Sequence, residues 1–498
     1  MCRFLLRLPA IVFAILICRT AVFSQEQLGM RLERYAGIYS ASLNPANTAF
    51  NPNRWEISLF SADVFLENSY AYLRNTSLPH ALRNTSKIVS VIDTSAENPP
   101  VRDAIFQDYF DGKRKMHAVV QARVTGPSFS FRLGEDRVLG LVTAFRTGIS
   151  SYKIPRVLAY RTISDLPINQ AVNIPPAGVQ GLAWAEIGLH YSHRNTDADV
   201  YTAFGATPRL LLGFEGFFSR AQSAFDYTQR PGDTVTFGSA RWDYALTTGN
   251  FTNHSDSVRA RVQGKGFGLD IGYAWAAPDE EGEGDEDYLW RFGVSLIDAG
   301  FIRFGKNAER HHIEFDTLVT VTDADFPPRD NPHDLIGDAS RAFLNDPAAS
   351  LRARAFSMGL PTALSVQFDA KVAPHLYISG LIVQRVPLMR YSLQRPSTVA
   401  VAPRFEHRWL SLSLPVVLDD WRSLRMGLAA RLGFLYLGTD HLGSFFKKEK
   451  LTGADFYIGL KINAFSILIN KKEGGGYSTS GDGKESRQKR RKIKCYEF

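Results

Sequence analysis

The chain has 498 residues, of which 12% are aromatic, and its mean hydropathy is -0.15. The aromatic content argues against a disordered chain, and the negative mean hydropathy argues against a bundle of membrane-spanning helices. The net charge of +8 comes from the two ends, because residues 25–470 contain 46 basic and 46 acidic side chains. A neutral body of this kind gives no reason to expect a nucleic-acid partner.

The first 24 residues have the pattern of a cleaved signal peptide. Arg3 and Arg7 precede a short uncharged apolar run, and the small residue Ser24 follows it. The apolar run is shorter than the roughly 18 residues that a spanning helix needs. We therefore expect export with Gln25 as the first mature residue, which leaves one cysteine and no intrachain disulfide.

After residue 54 the chain repeatedly alternates between bulky apolar and small or polar residues. The segment GKGFGLDIGYAW (264–275) places its large apolar side chains on one side and glycine, alanine and Asp270 on the other. Such alternation is typical of β-strands, and several examples exceed the ~9–11 residues that cross a bilayer. A β-propeller or β-sandwich would have shorter strands and more frequent turns. The sequence therefore predicts an all-β fold, a transmembrane antiparallel β-barrel over residues 55–470.

Twelve strands are predicted, near residues 55–73, 117–133, 137–150, 181–193, 200–215, 265–276, 288–304, 356–372, 376–387, 404–418, 422–437 and 454–465. Their connections alternate between short and long, as expected where short periplasmic turns face long external loops. The short connections are Gly134–Asp136, Arg194–Asp199, Ala373–His375 and Asp419–Trp421. A further hairpin between Phe217 and Tyr244 would raise the number of strands from 12 to 14.

The less bulky face of the predicted strands carries occasional charges, which we expect to point into the lumen because lipid-facing positions must be apolar. The expected lumen-facing residues are Arg146, Asp270, Arg291, Asp369, Arg431 and Lys461. These charges either line a polar pathway or pair across a closed lumen and hold it shut. Aromatic residues expected in the interfacial girdles are Trp275, Tyr288, Trp290, Trp421 and Tyr436.

Three prolines lie inside predicted strands, at Pro127, Pro208 and Pro361. Each removes one hydrogen-bond donor from the strand ladder, so each is expected to mark a bulge or a kink. Across Pro127 the apolar positions also change from even to odd numbers, which predicts a one-residue bulge there.

Residues 471–498 are polar and contain nine basic and four acidic side chains. This composition predicts a flexible basic tail, and an even number of strands would place it in the periplasm. The tail is a candidate contact for a periplasmic partner.

Several segments resemble a family of Bacteroidetes outer-membrane β-barrels of unknown function. They include YAGIYSASLNPAN (35–47), GKGFGLDIGYAW (264–275), LPTALSVQFDAKV (360–372), PRFEHRWLSLSLP (403–415) and RLGFLYLGTDHLGSFF (431–446). The residues Asn44, Pro45, Ala46 and Asn47 are also similar to the Asn-Pro-Ala segment of long-chain fatty acid transporters of the FadL type. This second resemblance implies that residues 25–54 act as a hatch inside the barrel.

The sequence contains little that indicates enzymatic chemistry. His311 and His312 lie near Glu314, and residues 279–287 (DEEGEGDED) are rich in carboxylates. Both could bind a metal ion, but the acidic stretch lacks the ligand spacing of a known calcium loop. We interpret both as polar loops, and we predict no catalytic residues, no metal site and no cofactor.

The predicted function is that of a channel or transporter for small or hydrophobic solutes, located in the cell outer membrane. The alternative is a structural or assembly component of an outer-membrane complex that binds partners through external loops or the basic tail. A soluble secreted β-protein or a barrel enzyme fits the pattern less well. The expected partners are outer-membrane lipid, a small or lipid-like solute and a periplasmic protein at the tail, with no nucleic acid.

Overall fold

The computed structural model describes residues 27–91, 103–110, 116–159, 166–196, 199–232, 234–249, 261–279, 287–327 and 332–463. The predicted signal peptide (1–24) and the predicted basic tail (471–498) lie outside the described residues. Residues 464–470, which the sequence assigns to the barrel, also lie outside them. These parts of the predicted organisation stay predictions.

Fourteen antiparallel strands form a closed barrel. Several of them consist of two or three pieces, separated by a bulge or an insertion. The strands are β1 (Trp55–Asn68), β2 (Met116–Thr125 and Ser128–Leu133), β3 (Arg137–Ile154), β4 (Gly178–Asn195), β5 (Tyr201–Ala221), β6 (Ala240–Thr247 and Gly264–Pro278), β7 (Tyr288–Phe304 and Ala308–Phe315), β8 (Leu351–Ala353, Phe356–Gly359 and Ala363–Ala373), β9 (Leu376–Arg385), β10 (Thr398–Glu406), β11 (Leu410–Ser413 and Val416–Asp419), β12 (Ser423–Met426 and Leu428–Leu432), β13 (Leu435–Thr439) and β14 (Gly453–Asn463).

The barrel closes where β1 pairs with β14, with Glu56 opposite Asn463. In the closed barrel, the backbone N–H and C=O groups of the wall bond to neighbouring strands. Lipid could not supply these hydrogen-bond partners. Most strands are joined at one end by short turns such as residues 134–136 and at the other by longer segments. We term these the turn end and the loop end. β1 begins and β14 ends at the turn end.

Apolar side chains cover the outside of the wall. In β6, Phe267, Ile271 and Tyr273 are exposed, whereas Gly268 and Asp270 between them are buried on the inner face. The same alternation runs along the other long strands and produces an apolar outer band, as expected of a barrel wall in lipid. The predicted fold class, a transmembrane antiparallel β-barrel, is therefore confirmed.

The number of strands is 14, but the two additional strands are not those of the predicted hairpin. Predicted strand 404–418 contains the end of β10 and all but the last residue of β11, separated by a turn at residues 407–409. Predicted strand 422–437 contains β12 and the start of β13, separated at Gly433, which has a positive φ of 59°. Each turn is so short that apolar residues continue across it, which is why alternation alone indicated one strand.

The hairpin predicted between Phe217 and Tyr244 exists, but it does not belong to the barrel. Its strands, Phe225–Arg230 and Thr234–Phe237, pair in a separate sheet at the loop end. β10 and β11 form two strands where the sequence predicted one, so the chain reverses direction once more than expected. The short turn at residues 419–421 therefore lies at the loop end rather than the turn end. The predicted periplasmic position of that turn is therefore wrong.

Pro127 and Pro361 interrupt β2 and β8, as expected. At Pro127 the pairing of β2 with β3 shifts by one residue, which confirms the predicted bulge. Pro208 behaves differently, because β5 pairs with β6 through this residue without a shift. Its missing donor instead leaves a gap in the ladder with β4, where the register is the same on both sides.

The predicted aromatic girdle is partly wrong. Trp290 and Trp421 are exposed, but Tyr288 and Tyr436 are buried inside the barrel. A shift in the pairing of β6 with β7 near Tyr288, and the turn at Gly433 before Tyr436, reverse which positions face inward. Both tyrosines therefore belong to the lumen.

Two four-stranded sheets lie at the loop end. One contains Lys448–Leu451, Ala71–Thr76, Ile105–Tyr109 and Ile88–Ser90, and the other contains Val319–Thr322, Thr234–Phe237, Phe225–Arg230 and Ala171–Ile174. The helices are α1 (Leu28–Arg31), α2 (Leu78–Arg83) and α3 (Pro332–Leu344), and the 3-10 segments are Arg34–Ser42, Pro45–Phe50, Thr85–Lys87, Arg156–Leu158, Asp323–Asp325 and Leu442–Phe445. Within the described ranges, none of the helices has the length and apolar character needed to cross a membrane.

A charge on the apolar band should destabilise the protein according to its depth. Leu189, 66% exposed in β4, lies within the band, whereas Leu424 follows the turn at residues 420–422 and lies at the rim. Leu189→Arg should lower the free energy of unfolding in lipid vesicles by about 2–4 kcal/mol, and Leu424→Arg by about 0–1 kcal/mol. Urea unfolding followed by tryptophan fluorescence measures both. Equal effects of the two variants would contradict a lipid-facing band.

Candidate functional site: the occupied barrel lumen

The N-terminal segment, residues 27–54, lies inside the barrel. It contains α1 and the 3-10 segments Arg34–Ser42 and Pro45–Phe50, and most of its side chains are buried. The backbone-to-backbone hydrogen bonds described for residues 27–50 run within the segment, for example from Asn44 N to Ser40 O. The segment therefore occupies the lumen without adding a strand to the wall.

The inner faces of β5 and β6 carry glycines, whose missing side chains leave room for this segment. An ideal Cβ atom added to Gly272 would lie 1.9 Å from Asn44 Oδ1. One added to Gly205 would lie 2.3 Å from the carbonyl carbon of Pro45. Both distances are far below van der Waals contact. Gly272 of the segment GKGFGLDIGYAW and Gly205 of β5 thus occupy positions where the N-terminal segment touches the wall.

The residues Asn44–Asn47 fix the segment across the lumen. Asn44 Oδ1 accepts a hydrogen bond from Ala46 N (3.0 Å), and Asn44 Nδ2 donates to a backbone carbonyl of β6 (3.2 Å). Asn47 Nδ2 donates to Gln367 Oε1 of β8 (3.1 Å). Pro45 begins the 3-10 segment, where its fixed φ is favourable. The structure therefore brings all four residues into contact with one another or with the wall.

Two charged residues of the wall bind the N-terminal segment directly. Arg431 Nε lies 3.1 Å from each carboxylate oxygen of Glu33. Lys461 Nζ donates to Ala36 O (2.9 Å) and to Glu56 Oε2 (3.1 Å). Arg431 and Lys461 are at most 1% exposed, so both cations are neutralised inside the protein.

Arg291 and Asp369 belong to a second group of charges, which lies on the turn-end side of the segment. Arg291 lies 3.5 Å from Asp369, which also accepts a 2.6 Å hydrogen bond from Arg404. Arg404 pairs in addition with Glu406, and Glu406 accepts a 3.2 Å hydrogen bond from the backbone N–H of Arg34. This group therefore connects β7, β8 and β10 to the N-terminal segment.

Arg146 and Asp270 belong to a third group, on the other side of the segment. Arg146 donates to Asp298 (2.9 Å), and Arg209 donates to Glu186 (3.0 Å) and pairs with both Asp270 and Asp298. All five side chains are at least nine-tenths buried. A buried charge is costly unless it is paired and hydrogen-bonded, and each charge of this group has an opposite partner.

The connection from β9 to β10, residues 386–397, also enters the lumen, and we term it the strap. Gln394 N donates to Ser150 Oγ of β3 (3.0 Å), and Arg395 lies 3.4 Å from Asp298 of β7. β3 stands opposite β9 and β10 in the ring of fourteen strands. The strap therefore crosses the lumen from one wall to the other.

Apolar side chains pack between the strap and the wall. They come from β4 to β8 and from the strap itself, and all are less than 7% exposed. The largest members of this apolar cluster are Leu182, Trp184, Leu211, Phe218, Ile302, Phe304, Phe356, Met358, Leu360 and Leu393. On the side formed by β4 to β8, the loop-end part of the lumen is therefore apolar, whereas the middle is charged.

Two small cavities lie where the strap approaches the N-terminal segment. Each has a volume of about 20 Å³, which is room for roughly one water molecule. Arg31 and Ser42 of the segment border both cavities, and Leu393 and Arg395 of the strap border one of them. In this conformation, these cavities are far too small for an organic solute.

All six charged residues expected in the lumen are buried there, and each has a partner of opposite charge. Their proposed part in function stays a prediction. Sequence reasoning missed Glu186, Arg209 and Asp298, although the first two alternate with apolar residues as the six do. Asp298 was hidden because its φ of 55° reverses the inward positions of β7. The strap carried no signal, because it has no strand or helix periodicity.

His311 and His312 lie on β7 rather than in a loop, because this strand continues to Phe315. His311 stacks on Tyr244, and His312 Nδ1 lies 2.6 Å from Asp243. Among the residues that the structure describes, no group of three histidine, cysteine or acidic side chains could hold a metal ion. Most of the acidic stretch 279–287 lies outside the described residues.

The fold and its filled lumen define a transmembrane β-barrel protein whose N-terminal segment lies inside the barrel. The chain belongs to the family of unknown function DUF5723, whose model matches residues 45–440. The resemblance to a family of β-barrels of unknown function is thereby confirmed. No curated protein matches the chain.

Solved structures similar to this chain are outer-membrane transport proteins at low identity. The TodX deltaS2S3 mutant, a monoaromatic hydrocarbon channel, has 9% identity over 86% of this chain and 94% of its own, with a TM-score of 0.38. The Ralstonia pickettii toluene transporter TbuX has 9% identity over 86% and 94%, with a TM-score of 0.33. A Pseudomonas aeruginosa FadL homologue has 8% identity over 89% and 100%, with a TM-score of 0.25. At these TM-scores we draw no conclusion from the likeness.

Breaking the third charge group should destabilise the barrel strongly. Arg146→Met would leave Asp298 and Glu186 with fewer positive partners in a buried site, so we expect a loss of about 3–5 kcal/mol in the free energy of unfolding. The matched control is Arg241→Met, because Arg241 pairs with Glu314 where both side chains are more than 40% exposed. That variant should lose less than about 1 kcal/mol. Denaturant titration in detergent measures both, and similar losses would contradict the buried network.

A side chain at Gly272 should displace the N-terminal segment, because its Cβ would overlap Asn44. Gly272→Val should cost about 1–3 kcal/mol in the seated state, which raises the displaced population roughly 5- to 150-fold. The matched control is Gly380→Val, where an added Cβ meets no atom within 4 Å. The rate of trypsin cleavage at the buried Arg31 in detergent reports displacement. Equal cleavage of both variants would show that the glycine does not position the segment.

Proposed function

We propose that this protein is an outer-membrane channel or transporter for a small or hydrophobic solute, captured here with its pathway closed. The observation that carries the proposal is that the lumen is filled by the N-terminal segment and the strap, neither of which is a strand of the wall. Removing either would leave the fourteen-stranded wall intact. Wall side chains alone fill a barrel of about 8 strands, whereas a wall of fourteen strands encloses a wider lumen that is closed here by these two separate segments.

The attachment of the N-terminal segment supports a hatch. The segment is held by hydrogen bonds and ion pairs that involve side chains, such as Arg431 with Glu33 and Asn47 with Gln367. Individually, interactions of this kind contribute about 1–3 kcal/mol, and they can be exchanged for water. A hatch of this kind can leave its seat without unfolding the wall, because wall and hatch share few backbone bonds.

The apolar cluster beneath the strap supports a hydrophobic solute. Large apolar side chains such as Trp184, Phe304 and Met358 meet there, away from the charged middle of the lumen. If the strap withdraws Leu393, these side chains expose an apolar surface that a hydrophobic molecule can cover. The charged groups below would then contact the polar part of the solute or water.

The location in the outer membrane follows from the same proposal. The signal-like residues 1–24 indicate export, and the apolar band requires lipid. The turn end, where both ends of the barrel sequence lie, would face the periplasm, and the two small sheets of the loop end would face the exterior.

A structural or assembly role is the second candidate. It is favoured by the buried ion pairs, because charges paired across a lumen stabilise a closed interior. In this alternative the loop-end sheets or residues 471–498 bind a partner, and the lumen never opens.

Deleting residues 30–50 distinguishes the two candidates. If the barrel is a transporter, the deletion removes most of the hatch, and single-channel conductance in planar bilayers should rise at least about tenfold above that of the full chain. Deleting residues 471–498 is the matched control and should leave conductance unchanged. The heat-modifiable migration of each protein on a gel shows that the barrel has folded. If folded protein without residues 30–50 conducts no more than the full chain, and loss of the tail releases a partner, the structural role stands instead.

A further inference from the structure

The middle of the strap forms backbone hydrogen bonds with the interrupted strand β8. Gly359 N donates to Tyr391 O (2.9 Å), and Leu393 N donates to Gly359 O (3.0 Å). Gly359 is the last residue of one piece of β8, and the neighbouring strand β9 stops at Arg385, opposite Ala363. The strap therefore uses a short free edge of the wall. These two backbone hydrogen bonds can be exchanged for water without breaking any strand pair.

A second attachment involves side chains at the loop end. Tyr391 OH donates a 2.5 Å hydrogen bond to Asp243 Oδ2 and accepts a 3.1 Å hydrogen bond from Gln222. The tyrosine ring stacks on Phe218 with 3.8 Å between the ring centroids. The other oxygen of Asp243 lies 2.6 Å from His312. Asp243 thus joins the strap to the part of β6 nearest the loop end.

The chemistry of this pair suits a contact that can break. Burial, together with the hydrogen bond to Asp243, raises the pKa of the Tyr391 hydroxyl above its ordinary value, so tyrosine stays the donor. The Tyr391 side chain is only partly buried, and water can replace either partner. Residues 387–390 before it are partly or fully exposed, whereas Leu393 beyond it is 2% exposed. Releasing Tyr391 would therefore free the strap from its exposed side first.

The strap and the N-terminal segment approach each other around the cavity bordered by Arg31, Ser42, Leu393 and Arg395. Their attachments are at different residues of the wall, with the strap bound to Asp243, Gly359, Ser150 and Asp298 and the segment bound to residues such as Gln367, Arg431 and Lys461. One can therefore move while the other stays seated.

We propose that the strap, residues 386–397, is a second gate, which opens towards the loop end when the hydrogen bond between Tyr391 and Asp243 breaks. Its motion exposes the apolar cluster to the exterior while the N-terminal segment still closes the turn end. A solute could then enter before the hatch moves. The purpose of this gate rests on the proposed transport function, but its motion does not.

Labelling of a buried cysteine measures the motion without any transport assay. Leu393→Cys is introduced in a Cys495→Ser background, and reaction with a membrane-impermeant maleimide is followed in proteoliposomes. Tyr391→Phe removes the hydroxyl that binds Asp243, so we expect labelling to accelerate roughly 5- to 30-fold. Tyr244→Phe is the matched control, because it removes a hydroxyl that binds Ser350 near the same end without touching the strap. Leu381→Cys, on the buried inner face of β9, reports any general loosening of the barrel.

A disulfide tests whether the motion matters for conduction. An ideal Cβ on Gly359 lies 3.2 Å from the Cβ of Ser392, close to the roughly 3.5–4.5 Å spacing of a disulfide. The pair Gly359→Cys and Ser392→Cys, in the Cys495→Ser background, should therefore cross-link the strap to the wall. In protein that also lacks residues 30–50, oxidation should reduce conductance at least about tenfold, and a reductant should restore it.

The results separate the two proposals. Equal labelling in the Tyr391→Phe and Tyr244→Phe proteins, or failure of the cysteine pair to cross-link, would overturn the gate. Conductance through hatch-deleted protein that oxidation does not change would also overturn it, while transport would stand. Faster labelling in Tyr391→Phe, without conductance in any variant, would leave the strap a mobile segment and would reject the transport function.

Discussion

A barrel surrounded by hydrocarbon cannot expose ionised side chains within its lipid-facing band, so the charges of the wall at that depth must point into the lumen. Inside the described lumen, the charges form a small number of groups in which cations meet carboxylates. Arg146 with Asp298, and Arg404 with Asp369, join strands that are not neighbours in sequence. The N-terminal segment supplies one more carboxylate, Glu33, which pairs with Arg431. The contents of the lumen therefore follow from the chemistry of its surroundings.

The interior is ordered along the barrel axis as a result. On the side of β4 to β8, charges such as Asp369 lie towards the turn end, the group around Asp298 lies in the middle, and apolar side chains such as Trp184 and Phe304 lie beneath the strap. Asp298 accepts from Arg146 of the wall and pairs with Arg395 of the strap, so one carboxylate bridges the middle and upper parts. A route for a solute would have to cross surfaces of different polarity, which is the reason for considering two gates rather than one.

Period-two alternation was sufficient to predict the class of fold and most strand positions, because outward residues must be apolar along the whole wall. It could not resolve the hairpins around residues 407–409 and Gly433, where a turn of two or three residues leaves the apolar pattern uninterrupted. Nor could it place Tyr288, since a shift in pairing reverses the inward side without changing composition. The strap was beyond prediction for another reason, because its position depends on contacts with strands more than 100 residues away, such as those of Asp243 and Ser150.

The seam between β1 and β14 pairs residues that are about 400 positions apart, and Lys461 of the last strand binds both Glu56 and the backbone of the N-terminal segment. The part of the polypeptide synthesised first thus receives its final partners from the part synthesised last. Contacts of such long sequence separation form slowly, because chain entropy must be lost before they stabilise the structure. Residues 27–54 therefore cannot complete their contacts until β14 is in place, so sealing the cylinder and seating its contents become a single event in biogenesis.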